Sequence, residues 1–260
     1  TSLAFLKSLH PSASTLINEL NRKANYDSSS EPSFFNTDDP KYNITNFSKL
    51  ELKNISFGYS VEKKIINNFS IKICNNKILG IRGVSGSGKT TLINIILGLL
   101  EPDSGEIFVD NTKIKNFSVL QKIFGLVSQN IYLLDETVRK NIAFGLIDSD
   151  IDDDQVKKSA KLAQVDSFIN SLENGYDTIV GNKGTKISGG QMQRIGIARA
   201  LYSNPKILIL DESTSALDTK NEDKILDLCK DLKKSMAIII ISHRNSALEI
   251  CDKIIDFENE

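Results

Sequence analysis

Apolar residues in this chain gather into short continuous runs separated by polar and helical stretches. Strand-like runs occupy 50–57 and 69–74, and a third at 78–81 leads directly into a glycine-rich loop. A helix is expected over 89–99. Later apolar runs at 123–128, 207–210 and 237–241 alternate with helical stretches, a pattern that predicts an α/β fold with a mostly parallel sheet core. Most of 137–201 reads as helix, so a separate α-helical lobe is expected as an insertion at about 131–201. Near the start, Leu16, Ile17 and Leu20 lie at helical spacing behind Pro11 and Ser12, predicting one short helix within 1–25. Ser, Asp, Asn and Pro then dominate, which marks 26–47 as a linker and 48–260 as the compact domain.

Composition narrows the class. Hydrophobic content of 40% and charged content of 25% suit a folded globular chain rather than a disordered one. A net charge of -1 supplies no general pull toward polyanions, so no nucleic-acid partner is expected. The three cysteines, Cys74, Cys229 and Cys251, are scattered without metal-ligand spacing and read as small core residues of a reducing compartment. The longest apolar run, 236–241, falls far short of the roughly 20 residues a membrane-spanning helix needs. Thr1 rather than Met opens the chain and no signal segment follows, as expected for a piece of a longer polypeptide.

The strongest chemical signal is the loop Gly83, Val84, Ser85, Gly86, Ser87, Gly88, Lys89, Thr90 and Thr91. It has two glycines five apart, then Lys and a hydroxyl residue. Glycines let successive amides turn inward toward phosphate oxygens, and the helix that follows adds its positive dipole end. Lys89 is expected to reach the β- and γ-phosphates of ATP and Thr90 to complete the coordination of Mg2+. A second signal is the buried run 207–210 ending in Asp211 and Glu212. Beside a phosphate loop, Asp211 can hold Mg2+ through its water shell, and Glu212 is free to orient or deprotonate the attacking water. Gln129 and His243 each follow another apolar run at the end expected to face the nucleotide. Gln129 there reads either as a Mg2+ ligand or water holder, or as an ordinary loop residue; His243 reads either as part of the site or as a surface histidine. Ser188, Gly189, Gly190 and Gln191 precede an amphipathic helix expected over 192–201 and form either a second anion site or an ordinary glycine loop.

Together these pieces resemble the nucleotide-binding domain of ABC ATPases over about 50–257. The resemblance identifies 83–91 as Walker A, Gln129 as the Q-loop, 187–191 as the signature, 207–212 as Walker B, 215–218 with Asp218 as the D-loop, and His243 as the switch. Tyr59 matches the aromatic that stacks on adenine, although alone it reads as a strand residue packing locally. It implies a P-loop NTPase fold with an N-terminal antiparallel β subdomain. It also implies a head-to-tail dimer with a second nucleotide-binding domain, each ATP held between one Walker A and the other signature. The run 135–142 resembles exporter-type cassettes, and the chain as a whole looks most like flippases for lipids or lipid-linked oligosaccharides. That implies that 1–25 is the cytoplasmic end of the last helix of a transmembrane domain, with the chain on the cytoplasmic face of the cell (inner) membrane and a groove for that domain partly lined by Ile131, Tyr132, Leu133 and Leu134. An importer's ATPase subunit and a soluble, non-transporting ABC ATPase are the alternatives. Asn182 departs from the Glu that exporters commonly carry; Ile187 and Met192 also differ from the usual residues.

Overall fold

Two kinds of strand sequence build two kinds of sheet. The computed structural model describes residues 47–60, 63–84, 86–181, 184–185, 187–213 and 218–257. The expected helix and linker before residue 47, together with Ser85, Asn182 and 215–217, lie outside these. In chain order the described strands are β1 (Lys49–Phe57), β2 (Ile66–Cys74), β3 (Ile78–Arg82), β4 (Ser104–Val109), β5 (Thr112–Lys113), β6 (Phe124–Val127), β7 (Ile207–Asp211), β8 (Ala237–Ile241) and β9 (Lys253–Asp256).

The parallel sheet has the order β6-β7-β8-β3-β9. Its inner strands have no polar face: every residue of β8 is buried, as are the first four of β3 and of β7. Such runs are stable only where both faces of the sheet are covered, and each buried Ile or Leu contributes about 1.5–3 kcal/mol. The antiparallel sheet, β2-β1-β4-β5, alternates instead, with Leu50 and Leu52 buried between half-exposed Lys49 and Glu51. A register shift after Leu52, with Asn54 at φ 53°, resets the alternation so that Ile55 again points inward. Sequence periodicity placed β1, β3, β6, β7 and β8 within a residue or two. It started β2 three residues late, and β4, β5 and β9 went unseen.

The described helices are α1 (Lys89–Ile96), α2 (Ser118–Gln121), α3 (Val138–Ile142), α4 (Asp153–Leu162), α5 (Asp166–Asn170), α6 (Gly189–Tyr202), α7 (Thr219–Leu232) and α8 (Asn245–Glu249). Two corrections follow. First, α1 ends at Ile96, where Gly98 adopts φ 70° and takes the chain out of the helix. Second, α6 begins at Gly189 rather than residue 192, because the Ser188 side chain and Gln191 form a reciprocal capping box that holds both glycines in the first turn. The expected α-helical insertion is present as α3 to α6, and it packs on the sheet. Buried Ile195, Ile197 and Leu201 of α6 join Val127 and Leu208 of the sheet and Val138 and Val156 of the insertion in one continuous core.

Of the cysteines, Cys229 is buried, and Cys74 and Cys251 are half-buried. Burial pushes the Cys229 thiol up to about 12 and that of Cys251 to about 11, so both stay protonated at neutral pH. Among the described residues, no helix is long and apolar enough to cross a membrane.

Candidate functional site

The carboxyl ends of β3, β6 and β7 open onto one cavity of about 500 Å³, lined by Tyr59, Ser60, Lys63, Ile65, Gly86, Gly88, Lys89, Thr90, Thr91, Gln129, Asp211 and Glu212. Ligands of open α/β sheets collect at this end, where successive strands diverge. β3 hands the chain to α1 through the phosphate loop. Gly88 sits at φ 92° as the N-cap of α1 and has no side chain to offer, so the first-turn amides face the cavity without a side-chain acceptor from that position. The Lys89 ammonium folds back over the loop and donates to the Gly83 and Val84 carbonyls at 2.8 Å each. These neutral oxygens hold the cation at the loop's mouth, where phosphate oxygens would compete for it with full charge.

Across the cavity stand two acids. Asp211 ends β7, half-buried, and its carboxyl is held above the ordinary carboxylate value by burial and by the neighbouring Glu212, with Lys89 acting in the opposite sense. Glu212 follows at φ 45°, a left-handed conformation uncommon for this residue type, while its amide still donates to the Ile241 carbonyl at 2.9 Å. This turn separates the two carboxylates: Asp211 stays on the strand, and Glu212 swings to meet Gln129, whose Nε2 donates to Oε2 at 3.1 Å. With the amide nitrogen so engaged, the Gln129 oxygen is the atom left to face a cation.

Tyr59 is 63% exposed. Its ring packs edge-on against Phe57, with centroids 5.1 Å apart and planes at 86°, and its hydroxyl lies 3.4 Å from Thr91 Oγ1. Tyr59 thus packs locally, as its strand position alone suggests, and its side chain also lines the cavity.

The structure does not bring every expected residue to this cavity. Ser188, Gly189, Gly190 and Gln191 head α6 outside its lining, with Ser188 and Gly189 exposed. Asp218 is the N-cap of α7, accepting from the Asn221 amide at 2.9 Å and from Asn221 Nδ2 at 2.7 Å; these contacts hold its carboxyl below the usual value. His243 is exposed just after β8 and also lies outside the lining. The apolar quartet divides: Tyr132 and Leu134 are exposed, Leu133 is buried, and Ile131 packs against α6 at Gly196, where a Cβ would stand 2.4 Å from Ile131 Cδ1. Only part of that quartet is thus free to line a groove. Ser60, Lys63 and Ile65 were missed as lining residues. They join the cavity because the chain turns back after Tyr59, with the Ile65 amide donating to the Phe57 carbonyl, and no motif announces that turn.

Hard oxygen donors suit Mg2+: Thr90 with its hydroxyl, Gln129 with its amide oxygen and Asp211 with its carboxylate all line this cavity. Among the described residues no three His, Cys, Asp or Glu gather in one place, so a cation here would also need oxygens from its ligand.

The sequence profile of the ABC transporter family matches residues 66–215, which takes in the phosphate loop, Gln129, Ser188–Gln191 and both acids. The chain belongs to the ABC transporter family. It is 40% identical over 209 residues to the ATP-dependent lipid A-core flippase of Aliivibrio fischeri, with 79% of this chain and 36% of that protein aligned. It is 43% identical over 210 residues to ABC transporter B family member 14 of Arabidopsis thaliana, covering 80% of this chain and 17% of that protein. A solved bacterial Atm1-family ABC exporter with ATP bound superposes with a TM-score of 0.71 at 34% identity, over 82% of this chain and 37% of that one. The chain therefore spans about a third of the flippase and of the exporter, and it is the family's ATPase domain, a nucleotide-binding P-loop fold.

Proposed function

We propose that this chain hydrolyses MgATP to power export or lipid flipping, working in a head-to-tail pair beneath a transmembrane domain on the cytoplasmic face of the membrane. What carries this reading is one cavity, which Lys89, Thr90, Gln129, Asp211 and Glu212 line together. In it the amides of 83–91 cradle the phosphates and Lys89 exchanges its two carbonyl partners for β- and γ-phosphate oxygens. Thr90, Asp211 and the Gln129 oxygen would hold Mg2+, which supplies charge neutralisation on the phosphates. Glu212 orients the attacking water and accepts its proton as the new O–P bond forms and ADP departs, while Gln129 keeps the carboxylate aimed. Tyr59 provides a face for adenine.

The turn at Ser188–Gln191 lies outside the lining of this chain's own cavity, which supports its serving the nucleotide of a second domain, with Asp218 and His243 near the seam. The names of the flippase and of the Atm1-family exporter favour export over import, and a lipid-like cargo fits the former.

The test is Glu212→Gln. It should keep MgATP affinity while losing about 10²–10⁴ in turnover, and should accumulate as a nucleotide-trapped dimer in size-exclusion chromatography. Turnover at the parental rate would remove Glu212 from this role.

A further inference from the structure

His243 leaves the sheet on a three-residue connection between β8 and α8, and among the described residues no side chain holds its imidazole. What fixes it is the backbone on either side. On one side the Ser242 amide donates to the Ile81 carbonyl at 3.3 Å, and Ser242 Oγ accepts from the Arg244 amide at 3.0 Å. On the other, Arg244 Nη1 donates to Glu222 Oε2 at 2.8 Å and Ser246 Oγ donates to Glu222 Oε1 at 3.2 Å. Both oxygens of one carboxylate thus grip the chain directly after His243.

Glu222 is only 4% exposed, a burial that a charged carboxylate tolerates when paired and hydrogen-bonded. It lies one helical turn beyond Asp218, and its amide donates to the Asp218 carbonyl at 2.9 Å. A rigid path therefore runs from the Asp218 cap through one turn of α7 and across the ion pair to Arg244 and His243. Removing Arg244 takes a charge-assisted bond from a carboxylate that is only 4% exposed, so the contact does not break casually.

We propose that Glu222 and Arg244 are positioning residues that hold His243 and the Asp218 turn in fixed relation, so that a displacement at the head of α7 is delivered to the histidine. The proposal rests on the assignment of His243 and Asp218 to the nucleotide seam made above. It goes beyond that assignment in naming the ion pair as the link.

The experiment uses the 260-residue chain and exploits its two histidines, His10 and His243, whose side-chain NMR signals are assigned with a His10→Asn variant. Glu222→Gln and Arg244→Lys are compared with the parent for MgATP affinity, steady-state ATPase kinetics and imidazole signals. The expected result is MgATP affinity within about twofold of the parent, kcat reduced by roughly tenfold to a hundredfold, and a shifted or broadened His243 signal beside an unmoved His10 signal. Arg244→Lys should retain more turnover than Arg244→Ala, because the ammonium can still reach the carboxylate. Glu222→Gln carries the test if Glu222→Ala does not fold, since it keeps shape while removing charge. An unmoved His243 signal with parental kcat overturns the proposal, as does a parallel loss of affinity, turnover and thermal midpoint. A parent without ATPase activity would sink the function proposed above, and the His243 signal would then decide the positioning role alone.

Discussion

The turns that open α1 and α6 both set glycines at a helix N-terminus, yet their surroundings divide their work. At α1, Gly88 offers no cap, and the free helix end meets Lys89, two hydroxyls, an amide and two acids around one cavity. At α6, the Ser188 hydroxyl accepts from the Gln191 amide at 3.3 Å and the Gln191 side chain returns the bond to the Ser188 amide at 2.8 Å. That turn satisfies part of itself and sits outside the cavity. Both ends carry the same helix dipole, so the dipole alone does not make a catalytic site. The difference lies in the charged groups that the sheet's topology delivers to one end and withholds from the other.

Lys89→Ala attacks the first turn and should have the largest effect on binding. Losing one charge-assisted contact to phosphate costs about 1.5–3 kcal/mol, or roughly ten- to a hundredfold in ATP affinity, with little change in thermal midpoint. Titration with a fluorescent ATP analogue measures it. Ser188→Ala attacks the second turn and should show the reverse profile: about 1 kcal/mol less stable through the lost cap, with ATP affinity of the monomer unchanged. In the head-to-tail pair proposed above, turnover would still fall, because that turn would serve the other domain's nucleotide. Equal loss of monomer affinity in both variants would erase the distinction between the turns.

How much of this was legible in the sequence follows from the range of the forces involved. Loop 83–91 and the acids at 211–212 announce themselves because each position is dictated by local chemistry: a tight turn, a helix start, the end of a buried strand. Strands β3, β7 and β8 were equally legible, since burial on both faces leaves an unbroken apolar run. Weak strands were not. β4 has only two buried residues and β5 none, and β9, at the sheet's edge, has none either; their pairing is decided by neighbours far along the chain. The same holds for Lys63 and Ile65 in the cavity and for the Glu222–Arg244 pair, whose members lie 22 residues apart and meet through α7 and α8. The start of α6 was set three residues late because apolar periodicity begins only after the two glycines, which the capping box holds in the first turn.

The smallest predicted effect concerns the cost of keeping the first turn ready. Burial and Glu212 hold Asp211 above its ordinary value of 3.8, so its charged form is disfavoured in the folded protein. The sign follows from linkage: a raised folded value gives a contribution to stability that is fully present below the unfolded value and is lost as pH rises through the folded one. Asp211→Asn cannot ionise and escapes that loss. Without nucleotide, the variant should match the parent near pH 3.5 and become the more stable of the two as pH climbs toward neutral, by under about 1 kcal/mol because the group is half-exposed and screened. Thermal melts across pH 3.5–8 would trace this difference curve. Adding MgATP at pH 7.5 should reverse the ranking, since the cation rewards the carboxylate and not the amide. No such crossover is expected for Ser188→Ala, whose cap involves no ionisable partner. A parent more stable than Asp211→Asn at neutral pH without nucleotide would show that the acid is already compensated in the folded protein.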